Sequence, residues 1–265
     1  MTSLSYAFSD SRVMLRRNLK HQLRYPSMTL MLVGVPIVLL LLFVYVFGGQ
    51  LGAGLGAREG RSAYLDYVVP GLLLITVASA VQGTSIMVAM DMTSGIIDRF
   101  RTMAIARAAV LTGHVLASLI QTLAGIVIVL GVAIALGFRP TADPLDWLAA
   151  IGLLALFAFA LIWLATALGL AAKSVETASN TPMMLFLLPF LGSGFVRTQT
   201  LPGGLRQFAE HQPFTPVTDT VRELPTNAAV GDHVIVSVAW SVGIALAGYL
   251  WAVRLYQRRR ATEPK

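Results

Sequence analysis

The stretch from Asp66 to Asp91, DYVVPGLLLITVASAVQGTSIMVAMD, begins and ends on an acidic residue and contains no charged residue in between. Its uncharged part supplies the roughly 20 residues with which a helix crosses about 30 Å of hydrocarbon. Because a segment inside a bilayer must satisfy its own backbone hydrogen bonds, a run of this length is expected to be helical. The stretch therefore predicts a transmembrane helix.

The same pattern recurs along the chain, which is 56% hydrophobic and 12% charged and has a mean hydropathy of +0.72. A soluble domain carries roughly 25% charged residues, so a soluble α/β protein is excluded. Five further uncharged stretches of this length run from Arg24 to Arg58, Arg107 to Arg139, Asp146 to Lys173, Glu176 to Arg197 and Asp232 to Arg254. The sequence predicts an all-α integral membrane protein with six transmembrane helices.

One of these six helices is expected to differ from the others. We place the helices near Met28–Phe47, Val68–Met90, Val115–Leu136, Trp147–Leu170, Thr181–Phe195 and Val234–Arg254. The fifth is short and contains Pro182 and Pro189. Because proline removes a backbone donor, this segment is either a kinked helix or a helix that stops early before a segment that re-enters the membrane.

Lysine and arginine indicate the orientation, because cytoplasmic segments of membrane proteins carry an excess of both. With the N-terminus inside, fourteen of the 20 lysine and arginine residues fall on the cytoplasmic side. Both termini are therefore expected in the cytoplasm. The net charge of +7 reflects this bias rather than a nucleic-acid-binding face. The absence of cysteine excludes disulfides and thiolate metal sites.

A charged, amphipathic segment, DMTSGIIDRFRTMAIARAAV from Asp91 to Val110, follows the second span on the cytoplasmic side. At helical spacing, Ile96, Ile97, Phe100, Met103 and Ala104 gather on one arc, and Asp98, Arg101 and Thr102 lie on another. Two interpretations remain open: a helix that rests on lipid headgroups, or a helix whose apolar arc is seated in a groove of a cytoplasmic partner.

The N-terminal arm, residues 1–26, also has an amphipathic pattern. Basic residues recur every four positions at Arg12, Arg16, Lys20 and Arg24, just before Pro26. This pattern predicts a helix that lies along the inner leaflet, and anchoring to anionic lipid is a sufficient explanation for it.

Together these features resemble a permease of the ABC-2 type, and two segments are similar to its daunorubicin/doxorubicin-resistance-like exporters. In that family an acidic residue, a glycine, a basic-Phe-basic core and a proline-containing turn follow the second span. Here the matching residues are Asp91, Gly95, DRFRTM at Asp98–Met103 and AIARAAVL at Ala104–Leu111, and LPGGLRQFAEHQPFTPVTDTVREL at Leu201–Leu224 is similar to the family's extracellular segment. Ala104 stands where the family has proline, which leaves the form of that turn open.

The resemblance implies a role for each segment. Residues of about 91–108 would form the coupling helix that docks on an ATPase subunit, with Phe100 as its apolar anchor. The residues implied in coupling are Asp91, Gly95, Asp98, Arg99, Phe100, Arg101 and Arg107. Residues 1–26 would be the connecting helix, 27–256 the transmembrane domain and 257–265 a basic cytoplasmic tail. Within the domain, residues of about 197–232 would form short outer helices that cap the exit and include His211, Pro213 and Arg222.

The chain has no nucleotide-binding loop of its own. The residues before Lys173 and Ser174 are LGLAA, which lack the glycines of a phosphate-binding P-loop. An exporter built on this chain therefore needs a separate ATPase subunit that binds ATP and Mg. Six helices make half of the usual pathway, so we also expect a second copy or a sister permease.

Apart from Arg254, which ends the sixth, the predicted spans contain no acidic or basic residue, which argues against an ion-driven carrier. Candidate residues of a substrate path are Gln82, Ser85, Gln121 and Phe186. The polar groups of Gln82, Ser85 and Gln121 either form hydrogen bonds between helices, which contribute roughly 0.6 kcal/mol each, or line a path for an amphipathic cargo.

We therefore expect the permease subunit of an ATP-driven exporter of a hydrophobic or amphipathic substrate (drug, antibiotic or lipid-like) in a bacterial inner membrane. Two alternatives remain open. One is a membrane scaffold that recruits a cytoplasmic partner. The other is an intramembrane hydrolase that uses Ser193 in the GSG of Gly192–Gly194 with His211. No HExxH motif is present, and we expect neither a catalytic residue nor a metal site.

Overall fold

A computed structural model describes residues 4–24, 26–49, 60–94, 107–139, 143–224 and 231–258. All regular secondary structure in these residues is helical. The helices are α1 Leu4–Arg24, α2 Pro26–Leu41, α3 Gly60–Thr93, α4 Arg107–Ala135, α5 Pro144–Ala171, α6 Val175–Asn180, α7 Met183–Leu187, α8 Gly203–His211, α9 Phe214–Glu223 and α10 His233–Arg258. A π-helical turn, Leu42–Phe47, extends α2, and 3-10 turns form at Leu188–Leu191 and Thr198–Thr200.

Five helices in the described ranges are long and apolar enough to cross a membrane. The spans are Thr29–Phe47, Ser62–Thr93, Val110–Ala135, Pro144–Ala171 and His233–Gln257. They correspond to the first, second, third, fourth and sixth helices that the charge pattern predicts. The protein is a multi-pass, helical membrane protein.

The predicted fifth segment, Thr181–Phe195, is interrupted, as its two prolines indicated, and no helix continues through it. This part of the chain consists of α6, α7 and the 3-10 turn Leu188–Leu191, which is followed by turns. Pro182 lies between α6 and α7, and Pro189 lies in the 3-10 turn. Each proline lacks the backbone donor that an uninterrupted helix requires, so the helix breaks at both positions.

Helix α3 is the central element of the fold. In the most apolar 18-residue stretch of α3, 78% of the residues are buried, whereas the same share in the peripheral helix α10 is 17%. α3 packs on α2, α4 and α5 and on the short helices α6 and α7, whereas α10 packs on α5 and α9. Large apolar side chains such as Met31 on α2 and Leu246 on α10 are exposed, as expected for surfaces that face lipid or another membrane subunit.

Small residues allow α5 to approach its neighbours closely. A Cβ atom at Gly169 would lie 2.6 Å from the backbone oxygen of Ser85 on α3. A Cβ atom at Gly248 on α10 would lie 2.7 Å from the backbone nitrogen of Leu164 on α5. Membrane helices use glycine in this way because close backbone approach increases the van der Waals contact between them.

The N-terminal arm is helical, as predicted, and its four-residue basic stripe is exposed. Its opposite face does not rest on lipid alone, because Met14 and Asn18 are buried and α1 packs chiefly against α4. A Cβ atom at Gly113 would lie 2.6 Å from Met14 Cβ, so the two helices are in close contact. The arm is therefore docked on the transmembrane domain, which the lipid-anchor interpretation did not include.

Candidate functional sites at the two ends of helix α3

Asp91 lies in the last turn of α3, and its carboxylate binds an arginine of the N-terminal helix. Arg17 Nη1 donates to Asp91 Oδ2 at 3.0 Å, and Arg17 Nη2 donates to Asp91 Oδ1 at 3.2 Å. The two hydrogen bonds form a bidentate pair, the geometry in which arginine and carboxylate bind with the greatest specificity. They connect α1 to the C-terminal end of α3.

A histidine of α4 approaches the same carboxylate. His114 Nε2 lies 3.1 Å from Asp91 Oδ2, and the two residues are only 4% and 6% exposed. Three helices thus meet on one buried carboxylate, and we call Arg17, Asp91 and His114 the Asp91 junction. A buried carboxylate is costly unless it is paired, and the two partners from other helices provide the pairing.

Further contacts around the Asp91 junction fix α1 on α4. Ser11 Oγ lies 3.3 Å from Thr112 Oγ1, one turn from the Met14–Gly113 contact. Arg17 Nη1 also donates to Asn18 Oδ1 at 3.4 Å. The N-terminal helix is thus held by apolar packing against α4 and by the bidentate pair with α3.

The structure changes the interpretation of Asp91 within the predicted coupling segment. Gly95, Asp98, Arg99, Phe100 and Arg101 lie outside the described residues, and Arg107 is the first residue of α4. The Asp91 carboxylate is buried and bound to Arg17, so it anchors the C-terminal end of α3. Its role in coupling stays a prediction.

Sequence reasoning missed Arg17 and His114 as functional candidates. A signal was present: an acidic residue at the membrane boundary needs a cationic partner, and Arg17 lies outside the four-residue basic stripe of its helix.

A second cluster lies near the N-terminal end of α3, around Arg222 of α9. Arg222 Nη2 donates to the backbone oxygen of Ser193 at 2.6 Å, and Arg222 Nε and Nη2 each lie 3.3 Å from the backbone oxygen of Tyr67. Arg222 Nη1 donates to Asp219 Oδ1 at 2.7 Å. One guanidinium thus connects α3, α9 and the turns that follow the broken fifth segment.

The aromatic ring of Tyr67 packs against the Arg222 guanidinium. The guanidinium carbon lies 4.1 Å from the centre of the Tyr67 ring, within the range of a cation–π contact. The Tyr67 hydroxyl donates to the backbone oxygen of Ser193 at 2.9 Å. We call Tyr67, Ser193, Asp219 and Arg222 the Arg222 junction.

The Gly192–Gly194 turn packs against two other elements, which explains its small residues. A Cβ atom at Gly71 of α3 would lie 2.7 Å from the backbone oxygen of Gly194. A Cβ atom at Gly192 would meet the side-chain amide of Gln212 and the hydroxyl of Thr215. Only glycine allows both approaches, so the motif serves packing.

The hydrolase alternative finds no support in these residues. Ser193 is buried, and its hydroxyl lies 3.5 Å from the backbone oxygen of Thr215. His211 is exposed, and its Nδ1 lies 2.8 Å from the backbone oxygen of Gln207. Between these two described residues there is no serine–histidine hydrogen bond of the kind that activates a nucleophile.

Two of the three predicted cap residues, His211 and Arg222, line a cavity beside the N-terminal part of α3. His211 ends α8, Pro213 precedes α9, and Arg222 lies in the last turn of α9. Two short helices, α8 and α9, form in the segment where the resemblance implies outer helices. They enclose, with α10 and the turn Thr198–Thr200, a half-open cavity of about 790 Å³ lined by residues that include His211 and Arg222.

The proposed substrate-path residues are not gathered into one site. Gln82 Nε2 donates to the backbone oxygen of Ser179 at 3.1 Å, and Gln121 Nε2 donates to Thr29 Oγ1 at 2.9 Å. Ser85 is fully buried. The Phe186 ring centre lies 6.0 Å from that of Phe190, four positions further along the chain. The two amides thus join helices, which favours the hydrogen-bonding interpretation in this conformation.

Comparisons with known proteins agree with the resemblance. The family model described as ABC-2 type transporter matches residues 10–224. A daunorubicin resistance ABC transporter permease protein, DrrB1, of Streptomyces coeruleorubidus is 27% identical over 238 residues, which cover 89% of this chain and 82% of that protein. A probable doxorubicin resistance ABC transporter permease protein, DrrC, of Mycobacterium tuberculosis (strain CDC 1551 / Oshkosh) is 26% identical over 214 residues, which cover 79% of this chain and 76% of that protein.

The matched region contains α1 from Asp10 onward, four of the membrane-spanning helices, the outer helices and both junctions. The protein is thus a membrane permease subunit of an ABC exporter, and the chain belongs to the ABC-2 type transporter family.

Proposed function

We propose that this chain forms half of the translocation path of an ATP-driven exporter in a bacterial inner membrane. ATP and Mg are bound by a separate ABC ATPase subunit, and a second copy or a sister permease completes the path. The observation that carries the proposal is the family match over residues 10–224, together with two bacterial relatives named as permeases of ABC transporters.

The proposed topology has six crossings, with both termini in the cytoplasm. Two contacts support a fifth crossing by the broken segment. Ser179 is hydrogen-bonded to Gln82 in the inner half of α3, and Gly194 lies against Gly71 in its outer half. At 1.5 Å per residue these contact points are about 16 Å apart along α3. The broken segment therefore runs outward beside α3, and an even number of crossings returns the chain to the inner side.

The cargo is proposed to be hydrophobic or amphipathic (a drug, an antibiotic or a lipid-like molecule). The names of the relatives, which refer to daunorubicin and doxorubicin resistance, support this class. Gln82, Ser85, Gln121 and Phe186 stay candidate path residues. The amide of Gln82 joins α3 to α6 and that of Gln121 joins α4 to α2, so cargo reaches these groups when the helices separate.

The proposed contact with the ATPase is made by the segment between α3 and α4, with Phe100 as the apolar anchor. Phe100→Ala or Arg101→Glu should leave the protein inserted and abolish ATP-stimulated transport. Burial of a phenylalanine contributes roughly 1.5–3 kcal/mol, so the loss should also weaken capture of the ATPase in a pulldown. Normal transport by both variants would make this segment an interfacial helix and remove the coupling role.

Leu246→Ala is a matched control for Phe100→Ala. Leu246 lies on the exposed apolar face of α10, so its truncation removes a large apolar side chain of the membrane-facing surface. Its transport and its capture of the ATPase should equal those of the unmodified protein.

Co-purification from native membranes in mild detergent, with an ATPase assay of the product, tests the whole proposal. A stoichiometric ATPase and ATP-dependent efflux of doxorubicin from reconstituted vesicles are expected. An oligomer of this chain without nucleotidase activity would contradict the proposal. An ATPase that binds without any flux would identify the scaffold alternative instead.

A further inference from the structure

We infer that the Asp91 junction makes the inner ends of α1, α3 and α4 move as one unit, and that Arg17 and His114 are positioning residues through which ATPase-driven motion reaches the transmembrane helices. The inference rests on the proposed function, because it needs a force applied at the chain segment between α3 and α4. It assigns a role to two residues that do not belong to that segment.

The position of the Asp91 junction in the chain supports this role. Asp91 is in the last turn of α3, and His114 is in the second turn of α4. The two helices that flank the proposed ATPase contact are thus joined to each other through one carboxylate. Arg17 connects the N-terminal helix α1 to the same carboxylate. In the chain α1 is adjacent to α2 and not to the inner end of α3 or of α4.

The contacts of α1 show what the loss of Arg17 would do. α1 is held on α4 by the Met14–Gly113 packing and by the approach of Ser11 to Thr112, which do not involve Arg17. Arg17 reaches α3 through its two hydrogen bonds to Asp91. Without the guanidinium, α1 should stay docked on α4 while its connection to α3 is lost. The expected defect is therefore in coupling rather than in folding.

The charge on Asp91 makes this connection specific. The carboxylate is buried, and both of its oxygens accept from Arg17 while Oδ2 also faces His114. An uncharged side chain at position 17 leaves the buried Asp91 carboxylate with His114 as its one described partner. A buried charge that has lost its partner is costly, so the structure around Asp91 should rearrange. A lysine would keep the charge but supply a single donor group in place of the fork.

The test uses the permease–ATPase complex in vesicles and measures transported substrate per ATP hydrolysed, with doxorubicin as the probe. Arg17→Gln is compared with Arg16→Gln, which removes the same charge from the exposed face of the same helix. We expect Arg17→Gln to lower transport per ATP by about fivefold or more, a typical coupling effect. Bound ATPase and membrane insertion should match those of Arg16→Gln, and Arg17→Lys should fall between the two.

A charge exchange tests whether the Arg17–Asp91 pair itself is responsible. Arg17→Asp and Asp91→Arg should each lose coupling, because each brings like charges together at the junction. The double variant restores an opposite-charge pair and should recover transport per ATP, a non-additive result that only an interacting pair produces. A double variant that binds the ATPase but stays uncoupled would overturn the inference.

Two other outcomes overturn the inference, and a third concerns only the proposed function. Transport per ATP that is unchanged in Arg17→Gln shows that the junction transmits nothing. A parallel loss of insertion, bound ATPase and transport in Arg17→Gln but not in Arg16→Gln shows that the junction serves folding instead. If the unmodified chain binds no ATPase, the proposed function fails by itself, before any variant is compared.

Discussion

At the residue scale, two charged side chains organise this protein, one at each end of α3. Asp91 joins three helices at the C-terminal end, and Arg222 joins α9, α3 and the Gly192–Gly194 turn near the N-terminal end. The Asp91 carboxylate binds through two oxygens and the Arg222 guanidinium through three nitrogens. A single charged atom does not reproduce this geometry. Their effects should therefore depend on the shape of the side chain as well as on its charge.

Arg222→Lys tests this dependence on shape. An ammonium group replaces a guanidinium that donates to Ser193, Tyr67 and Asp219 at the same time, so at least one partner loses its donor. Hydrogen bonds to charged groups contribute about 1.5–3 kcal/mol each, and the substitution should destabilise the protein by about this amount. The measurement is the midpoint of thermal unfolding in detergent, followed by fluorescence-detected size exclusion.

Arg206→Lys provides the matched control. Arg206 donates to Glu210 at 2.7 Å one helical turn away, on an exposed face of α8. Exposed pairs of this kind contribute about 0.2–1 kcal/mol, so the midpoint should hardly change. Equal shifts for the two variants would show that the Arg222 junction is no more stabilising than a surface ion pair.

At the scale of elements, the helices are held at points where glycine lets one backbone approach another. Gly71 on α3 meets the Gly192–Gly194 turn, and Gly248 on α10 meets α5. Gly83 on α3 and Gly243 on α10 have no atom within 4 Å of an added Cβ. Each of the two helices thus contains one glycine in close contact with another element and one glycine with free space beside it. The sequence alone does not tell the two kinds apart.

Alanine substitutions should separate the packed glycines from the open ones. In Gly71→Ala and Gly248→Ala the new Cβ would meet backbone atoms at 2.7 Å, so the elements must separate. Overpacking of this kind costs about 1–3 kcal/mol. Gly83→Ala and Gly243→Ala should be neutral or stabilising, because alanine favours the helix. Thermal unfolding of the four variants measures the difference, and a midpoint for Gly248→Ala equal to that for Gly243→Ala would contradict the close contact of α10 with α5.

At the scale of the whole molecule, the topology depends on the broken fifth segment. In the part of the chain that the structure describes, five continuous helices are long enough to span the membrane. The short helices α6 and α7 and the 3-10 turn that follows them lie beside the central part of α3, where Ser179 contacts Gln82 and Gly194 contacts Gly71. If this segment completes a crossing, α1 and the end of α10 lie on the same side of the membrane.

The chain contains no cysteine, so single cysteines can be labelled without background. Lys20→Cys, Thr200→Cys and Gln257→Cys place a thiol on exposed positions of α1, the outer turn and the end of α10. A membrane-impermeant maleimide added to intact cells should label only Thr200→Cys, and the other two should react after permeabilisation. Labelling of Lys20→Cys and Gln257→Cys from opposite sides would indicate an odd number of crossings.

The sequence alone determined where helices cross the membrane, because a crossing depends on the length and hydropathy of a local run. The gaps between charged residues therefore located the five continuous spans, and the prolines marked the segment that differs. The resemblance to the ABC-2 family selected Asp91 and Arg222 as candidates for function.

Only the tertiary structure decided the partners of these two residues and the path of the fifth segment. Arg17 and Asp91 are 74 positions apart in the chain, and Tyr67 and Arg222 are 155 positions apart. Which side chains meet over such separations depends on how each helix is rotated and on where small residues let backbones approach, and neither property is encoded in a local run of residues. Composition and periodicity thus define the helices, whereas packing defines the junctions that connect them.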